Sequence, residues 1–274
     1  MIQFPNCKIN LGLSILEKRT DGFHTLETVF YPVAINDLLE ITSISGNQNE
    51  LVEFTCSGNP IPGDISGNLC VKAYHLLKAD FPQLTAVKIH LHKKIPIGAG
   101  LGGGSSDGAK ALLILNDLFK LKLTSKQLLH YAAKLGSDCP FFIINEACHA
   151  TGRGEIMHPI PLHLATYTIA LIHPGIPIST GWAFQQITPS HKEKTIAAII
   201  QQPIATWKNE LINDFEIPVF KAHPSMSLIK NYLYDQGAIY ASLSGSGSSI
   251  FGLLPKGTLL NPAPAIDKLK MDII

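Results

Sequence analysis

The run IPIGAGLGGGSSDGAKALL, residues 95–113, packs five glycines into positions 98–104 and follows them with Ser105, Ser106 and Asp107. Glycines are needed where a backbone takes positive φ or approaches a ligand closely. Ala109, Leu112, Leu113, Asn116 and Phe119 then recur at helical spacing. A helix starting there turns its unpaired N–H groups and positive dipole end back on the loop, which favours an anion. Two serine hydroxyls in its first turn can donate to phosphate oxygens or reach a phosphate-bound Mg²⁺, and Ser106 is the candidate for the latter. The plainer reading of the same residues is a turn with a serine N-cap.

Three familiar phosphate loops fit poorly. The nucleoside-triphosphate loop GxxxxGK[ST] needs a lysine, and none follows the glycines until Lys110. Gly98, Gly100 and Gly103 spell GxGxxG, but the acidic ribose-binding residue of a dinucleotide fold belongs about 20 positions on, and Asp117 comes too early, inside the helix. A protein-kinase glycine loop would be followed by HRD and DFG, which are absent.

Further residues sit where their types are out of place. Lys8 interrupts the alternating strand CKINLGLSIL, in which Ile9, Leu11 and Leu13 share one face and Lys8, Asn10 and Gly12 the other. A lysine there is either an edge-strand residue or faces a cleft. The turn DGFH carries Phe23, whose ring can stack on a pyrimidine, and His24, which can hydrogen-bond a base edge. A packed phenylalanine with a surface histidine is the alternative. Asp138 precedes Pro140 and reads as an N-cap or as a general base. Asn68 reads as the N-cap of a helix over LCVKAYHLLKAD, and Lys94 just before the loop faces a nucleotide or solvent.

The elements that must position these residues alternate between strand and helix. LETVFYPVAINDLLEITSI predicts one or two strands with a break near Pro32, and GNQNE (46–50) a loop. AVKIHLHKKIPI is a strand leading into the glycines. TSKQ (124–127) is a capping box opening a helix that Gly136 stops. YTIALIHP is a buried strand, STGWAFQQI starts a helix, AIIQQPIATWKNELINDFE is a helix broken at Pro203, and SLIKNYLYDQGA is a helix with a glycine stop. IYASLSGSGSSIFGLLP is strand–turn–strand, its serine-glycine segment a flexible turn on pattern alone. The glycine turn near 154 is the expected domain boundary.

The 274 residues are 46% hydrophobic and 16% charged with net charge +1, which allows a large core and gives no broad field for nucleic acid or an anionic membrane. Five widely spaced cysteines without CxxC predict reduced thiols, and eleven histidines without HExxH predict no metal cluster. The amino-terminal MIQFPNCKINLGL lacks leader character and no run suits a bilayer. The expectation is a soluble, cytoplasmic protein with a small-molecule partner.

PIGAGLGGGSSDGAKALL closely resembles the central ATP-binding motif of the GHMP kinases, the galactokinase, homoserine kinase, mevalonate kinase and phosphomevalonate kinase relatives. PNCKINLGLSILEKRTDGFHTLETVF is similar to the amino-terminal motif of one branch, PAK[IL]NLxLxIxxxRxDGYHxLxT, whose members phosphorylate 4-diphosphocytidyl-2-C-methyl-D-erythritol. GSDCPFF, NDFE (213–216) and SLSGSGSSIFGL (242–253) resemble the branch's GxDVPFF, NDxE and SGSGSxxF segments. The matches run in order from residue 5 to 253, and the DGxH segment separates this branch from the rest. Cys7 stands for the usual alanine, and Phe23 for the usual tyrosine, which keeps an aromatic face but loses a hydroxyl.

The resemblance implies an α+β fold of two domains with the active site in the cleft between them. An ATP-binding domain would cover 1–154 and a ferredoxin-like α/β domain 155–274. It implies transfer of the γ-phosphate of ATP, carried with Mg²⁺, to the C2 hydroxyl of the cytidyl diphosphate ester, in the non-mevalonate route to isoprenoid precursors. Lys8 and Asp138 would be catalytic. Asn68, Lys94, Pro96, Gly98, Gly100, Leu101, Gly102, Gly103, Gly104, Ser105 and Ser106 would hold ATP. Asn10, Phe23, His24, Asp138, Thr180 and Phe184 would meet the substrate, with Trp182 the alternative to Phe184. No protein side chain is assigned as a metal ligand, and no obligate protein partner, nucleic acid or membrane is implied. The competing readings are another GHMP kinase acting on homoserine or a mevalonate-type alcohol, a dinucleotide-binding oxidoreductase, and a non-catalytic nucleotide-binding relative.

Overall fold

The computed structural model describes residues 1–44, 51–261 and 270–273, so the loop expected over 46–50 lies outside the described residues. In chain order the first elements are β1 (Ile2–Gln3), β2 (Asn6–Lys18), β3 (His24–Asn36), β4 (Leu38–Ser43), β5 (Val52–Gly58), α1 (Leu69–Asp80) and β6 (Val87–Lys93). Then come α2 (Gly103–Leu118), α3 (Ser125–Leu135), α4 (Cys139–Ile144), β7 (Cys148–Thr151), β8 (Ile156–Pro159) and β9 (Tyr167–His173). The remainder is α5 (Thr180–Gln185), α6 (Ile196–Ile200), α7 (Ile204–Glu210), α8 (Glu216–Ala222), α9 (Pro224–Asp235), β10 (Tyr240–Leu243), β11 (Ile250–Pro255) and β12 (Lys270–Ile273).

Local signals act as expected at several ends. Asn68 Oδ1 accepts from Cys70 N at 2.9 Å and starts α1. Thr124 and Gln127 form the reciprocal capping box of α3, and Gly136 ends it. Pro203 separates α6 from α7 because it donates no backbone hydrogen bond. One break falls elsewhere than expected: β3 runs through Pro32, and the chain turns at Asp37. Asp37 is 1% exposed, and its carboxylate oxygen Oδ1 accepts from the backbone of Lys94 and Ile95 at 2.6 and 2.9 Å. A buried charge that needs those donors fixes the corner there.

The chain forms two compact units. One comprises residues 1–7, 34–97 and 102–145, the other 8–33, 98–101 and 146–274. Most of β2, most of β3 and four glycine-loop residues belong with the carboxy-terminal half. In the first unit the sheet order is β1-β4-β6-β5, with β5 and β6 parallel. Val87, Ile89 and Leu91 of β6 point inward while Lys88 and His92 are exposed, the period-two pattern of a one-sided sheet.

The second unit holds two sheets, β2-β3-β7-β8 and β10-β11-β9-β12. Residues 6–15 of β2 are buried on both faces. The free edge of that strand is covered: Leu13 N donates to Ile212 O at 3.0 Å, Asp214 N donates to Leu13 O at 2.8 Å, and Ile15 N donates to Asp214 Oδ2 at 2.8 Å. Covering an edge removes unpaired backbone groups from water and from other chains. Leu13, Ile15, Ile172, Phe215, Met226, Leu233, Leu243 and Ile250 lie in the core of this unit.

Candidate active site

The glycine loop is held on a buried support. Gly98, Gly100 and Gly102 have φ of +68°, +76° and +68°, which L side chains rarely adopt. A Cβ at Gly100 would strike the carbonyl of Ser244. Ser244 Oγ donates to Gly100 O at 2.9 Å, and Ser249 N donates to Ala99 O at 3.1 Å. Ser244, Ser248 and Ser249 are each fully buried, so the segment expected as a flexible turn is a packed shelf under the loop. The NDFE run builds that shelf. Asn213 Nδ2 donates to Leu243 O and Gly245 O at 2.8 and 2.9 Å, and Glu216 Oε1 accepts from Ser242 Oγ and Leu243 N at 3.0 Å each.

Past the loop, α2 starts without a side-chain cap. Its first turn carries Ser105 and Ser106, and Asp107 follows them. Ser106 Oγ and Asp107 Oδ1 are buried and have no hydrogen-bond partner among the described residues. Orphaned polar atoms at a helix N-terminus fit an anion or its counter-ion. Gly103, whose would-be Cβ lies 2.8 Å from Ile95 Cγ2, lets the strand end and helix start close on one another. Gly108 does the same for α1 and α2, since a Cβ there would lie 2.8 Å from Leu69 Cβ. That contact sets Asn68, next to Leu69, close to α2.

A buried ion cluster ties the two ends of the loop together. The ammonium of Lys93 donates to Asp37 Oδ2 and, at 2.7 Å, to Asp107 Oδ2. Lys93 is 2% exposed, and burial alone would lower its pKa, but the two carboxylates raise it. Burial pushes the Asp107 carboxyl up to about 8, against the pull of Lys93 and with the repulsion of Asp37. Asp37 accepts from the lysine and from two backbone N–H groups, while Asp107 keeps an unpaired oxygen. Lys94, by contrast, exposes its side chain and contributes its backbone N–H to Asp37 and its carbonyl to Asn59 Nδ2.

Lys8 is 4% exposed, and its backbone N–H donates to Leu101 O of the glycine loop at 3.0 Å. Its ammonium donates to Asn10 Oδ1 at 2.5 Å and lies 5.0 Å from the centre of the Phe30 ring. An ammonium so placed is not a solvated lysine on an open edge, because it has left water for a polar and aromatic enclosure. Cys7, on the opposite face, is fully buried. Asp138 stands at the start of α4 and is half-buried, and its side chain does not cap that helix. Burial raises the thiol of Cys139, next to it, to about 12.

The aromatic residues gather in the second unit. The His24 and Phe184 rings stack at 5.0 Å and 23°. At that spacing the two rings touch one another. Phe23 is 55% exposed, with the Arg153 guanidinium 4.9 Å from its ring centre. Trp182 packs edge-on against His223 instead. Burial, then the charge of Lys18, lower the His24 pKa and favour the neutral ring, which can donate and accept. Thr180 Oγ1 lies 3.1 Å from Ser246 Oγ.

The structure thus joins Lys8, Asn10, Gly100 and Leu101 to their supports through hydrogen bonds, and His24 to Phe184 through stacking. Pro96, Gly102, Gly103, Gly104, Ser105, Ser106, Asn68 and Asp138 lie in or beside α2 and its neighbours in the first unit. Sequence reasoning misses the ion cluster of Asp37, Lys93 and Asp107, and it misses Thr28. Lys93 carries a signal: it is in phase with the inward-facing Val87, Ile89 and Leu91.

Comparisons with known proteins give the family. Residues 68–146 match the GHMP kinases N terminal domain and residues 196–261 the GHMP kinases C terminal. The chain belongs to the GHMP kinases and is an ATP-dependent small-molecule kinase. It is 54% identical to 4-diphosphocytidyl-2-C-methyl-D-erythritol kinase of Bacteroides thetaiotaomicron over 94% of each chain. It is 50% identical to the enzyme of that name from Cytophaga hutchinsonii over 92% of each. A crystal structure of 4-(cytidine 5'-diphospho)-2C-methyl-D-erythritol kinase superposes with TM-score 0.80 at 31% identity, covering 92% of this chain and 90% of that one. Mevalonate kinase of Methanococcus jannaschii, 13% identical with TM-score 0.74, shares the fold.

Proposed function

We propose that the chain transfers the γ-phosphate of ATP to the C2 hydroxyl of 4-diphosphocytidyl-2-C-methyl-D-erythritol, in the non-mevalonate route to isoprenoid precursors. The observation that carries the chemistry is Lys8: a buried ammonium whose own backbone is bonded to the glycine loop. Phosphoryl transfer to an alcohol needs the oxygen aimed, its proton removed and the growing charge offset. Asp138 accepts the proton of the C2 hydroxyl. Lys8 offsets charge on the hydroxyl oxygen and the transferring phosphoryl group. Asn10 orients Lys8 and meets the substrate.

The loop from Pro96 to Ser106 takes the triphosphate, with Asn68 and Lys94 at the nucleoside. The orphaned Ser106 Oγ fits a Mg²⁺ carried by the phosphates, and among the described residues no group of three or more His, Cys, Asp or Glu could hold a metal ion, so the phosphates would supply most of its ligands. Bound there, the ion would neutralise phosphate charge. Phe23 and Phe184 stack on cytosine and His24 reads its edge, while Thr180 meets the diphosphate. The stacking of Phe184 on His24 supports Phe184 over Trp182 in this role. The working place is the cytoplasm, in keeping with the lack of any described helix long and apolar enough to cross a membrane.

An ADP-release assay with the cytidyl ester, homoserine and mevalonate tests the reading. Turnover is expected with the cytidyl ester alone; turnover on homoserine or mevalonate without any on the ester would overturn it.

A further inference from the structure

We propose that Thr28 is a positioning residue for Lys8, acting through Asn10. The inference rests on the reading of Lys8 as the catalytic lysine. Thr28 is fully buried, and Asn10 is 1% exposed. Three hydrogen bonds run in series. Thr28 Oγ1 donates to Gly12 O at 2.5 Å, Asn10 Nδ2 donates to Thr28 Oγ1 at 3.0 Å, and Lys8 Nζ donates to Asn10 Oδ1 at 2.5 Å.

The polarity of that series is dictated from its far end. A backbone carbonyl only accepts, so the Thr28 proton goes to Gly12. The hydroxyl is left with lone pairs toward Asn10, and among the two ends of the amide only the NH₂ can donate to them. Oδ1 must therefore face the ammonium. A flipped amide would set N–H donors against a cation and an oxygen against a hydroxyl whose proton is spent. A hydroxyl on β3 thus decides which atom of Asn10 meets Lys8 on β2. Lys8, Asn10 and Gly12 share one face of β2, and Gly12 bends that strand with φ of +66°. Thr28 is the last threonine of the DGFHTLET run, a position for which stacking and base reading give no use.

Valine is the near-isostere that removes only the hydroxyl and suits a strand. With Thr28→Val, Asn10 loses its orientation and kcat falls about tenfold, the scale of one buried hydrogen bond, while the KM for ATP stays within about twofold. Thr28→Ser keeps the hydroxyl and retains kcat within about twofold of the native value. In an Asn10→Ala background Thr28→Val has no further effect on kcat, because the intermediary is gone. A like-sized further loss in that background, or an equal loss in Thr28→Ser and Thr28→Val, overturns the proposal, as does full activity in Thr28→Val. If the valine variant does not fold, Thr28→Ala replaces it in the same cycle. Lys8→Met separates the two claims: retained kcat there removes the catalytic role of Lys8 itself, whereas its loss with an inert Thr28→Val removes only the relay.

Discussion

At the scale of single residues, the proposed mechanism divides one task between the charges of Asp138 and Lys8. The half-buried Asp138 carboxylate precedes a six-residue helix and does not cap it, so helix capping does not account for an aspartate there. Asp138→Asn keeps the shape and removes the base. The expected outcome is a loss of kcat of at least about 10²-fold with ATP affinity kept within about threefold, measured by ADP release and by nucleotide titration. Unchanged kcat would take Asp138 out of the chemistry. Lys8 is legible in the sequence as an anomaly, a cation inside an apolar alternation. Its partners are less so, because Asn10 is near in sequence but Thr28 is bonded to it across 18 positions. Spacing along one strand reveals a shared face; it does not reveal which neighbour strand supplies the next hydroxyl.

At the scale of elements, the glycine loop is set by what lies at its ends and beneath it. Asp37 pins the end of β6, Lys93 joins Asp37 to Asp107, and Asp107 is near the start of α2. The phase of β6 points Lys93 inward, but its partners lie 56 and 14 positions away, a pairing that no local pattern encodes. Asp107 provides a pH test. Its folded pKa, about 8, is above the ordinary aspartate value of 3.8, so folding takes up a proton near neutral pH. The stability this supplies is full below the ordinary value and is lost as pH rises through about 8. An asparagine side chain in its place does not titrate. The melting temperature of Asp107→Asn relative to the native chain should therefore climb as pH is raised from about 5 to about 9. A difference that stays constant would mean that Asp107 is ionised against Lys93 throughout.

At the scale of the whole molecule, the glycine loop is tied to segments distant in sequence. The capping residues, the turns and most strands are legible because their signals are local. The shelf under the loop is not: SGSGSS reads as a flexible turn, and it is buried because Asn213, Glu216 and the glycine loop saturate its backbone. The placement of β2 and most of β3 with the carboxy-terminal unit is also hidden, since it depends on edge contacts such as that of Ile15 with Asp214, 199 positions on. Family resemblance supplies the substrate, which periodicity and spacing do not reach.

The proposed activity makes one bond: phosphorus to the oxygen on C2 of the cytidyl ester. That carbon bears a methyl group and no hydrogen, so the position of transfer can be read directly. In proton-coupled ³¹P NMR of the reaction with ATP, the expected result is a new phosphomonoester resonance without proton splitting, growing in step with ADP. A resonance split by a neighbouring proton would place the phosphate on a different hydroxyl, and ADP formed without any new phosphomonoester would contradict transfer to the ester altogether.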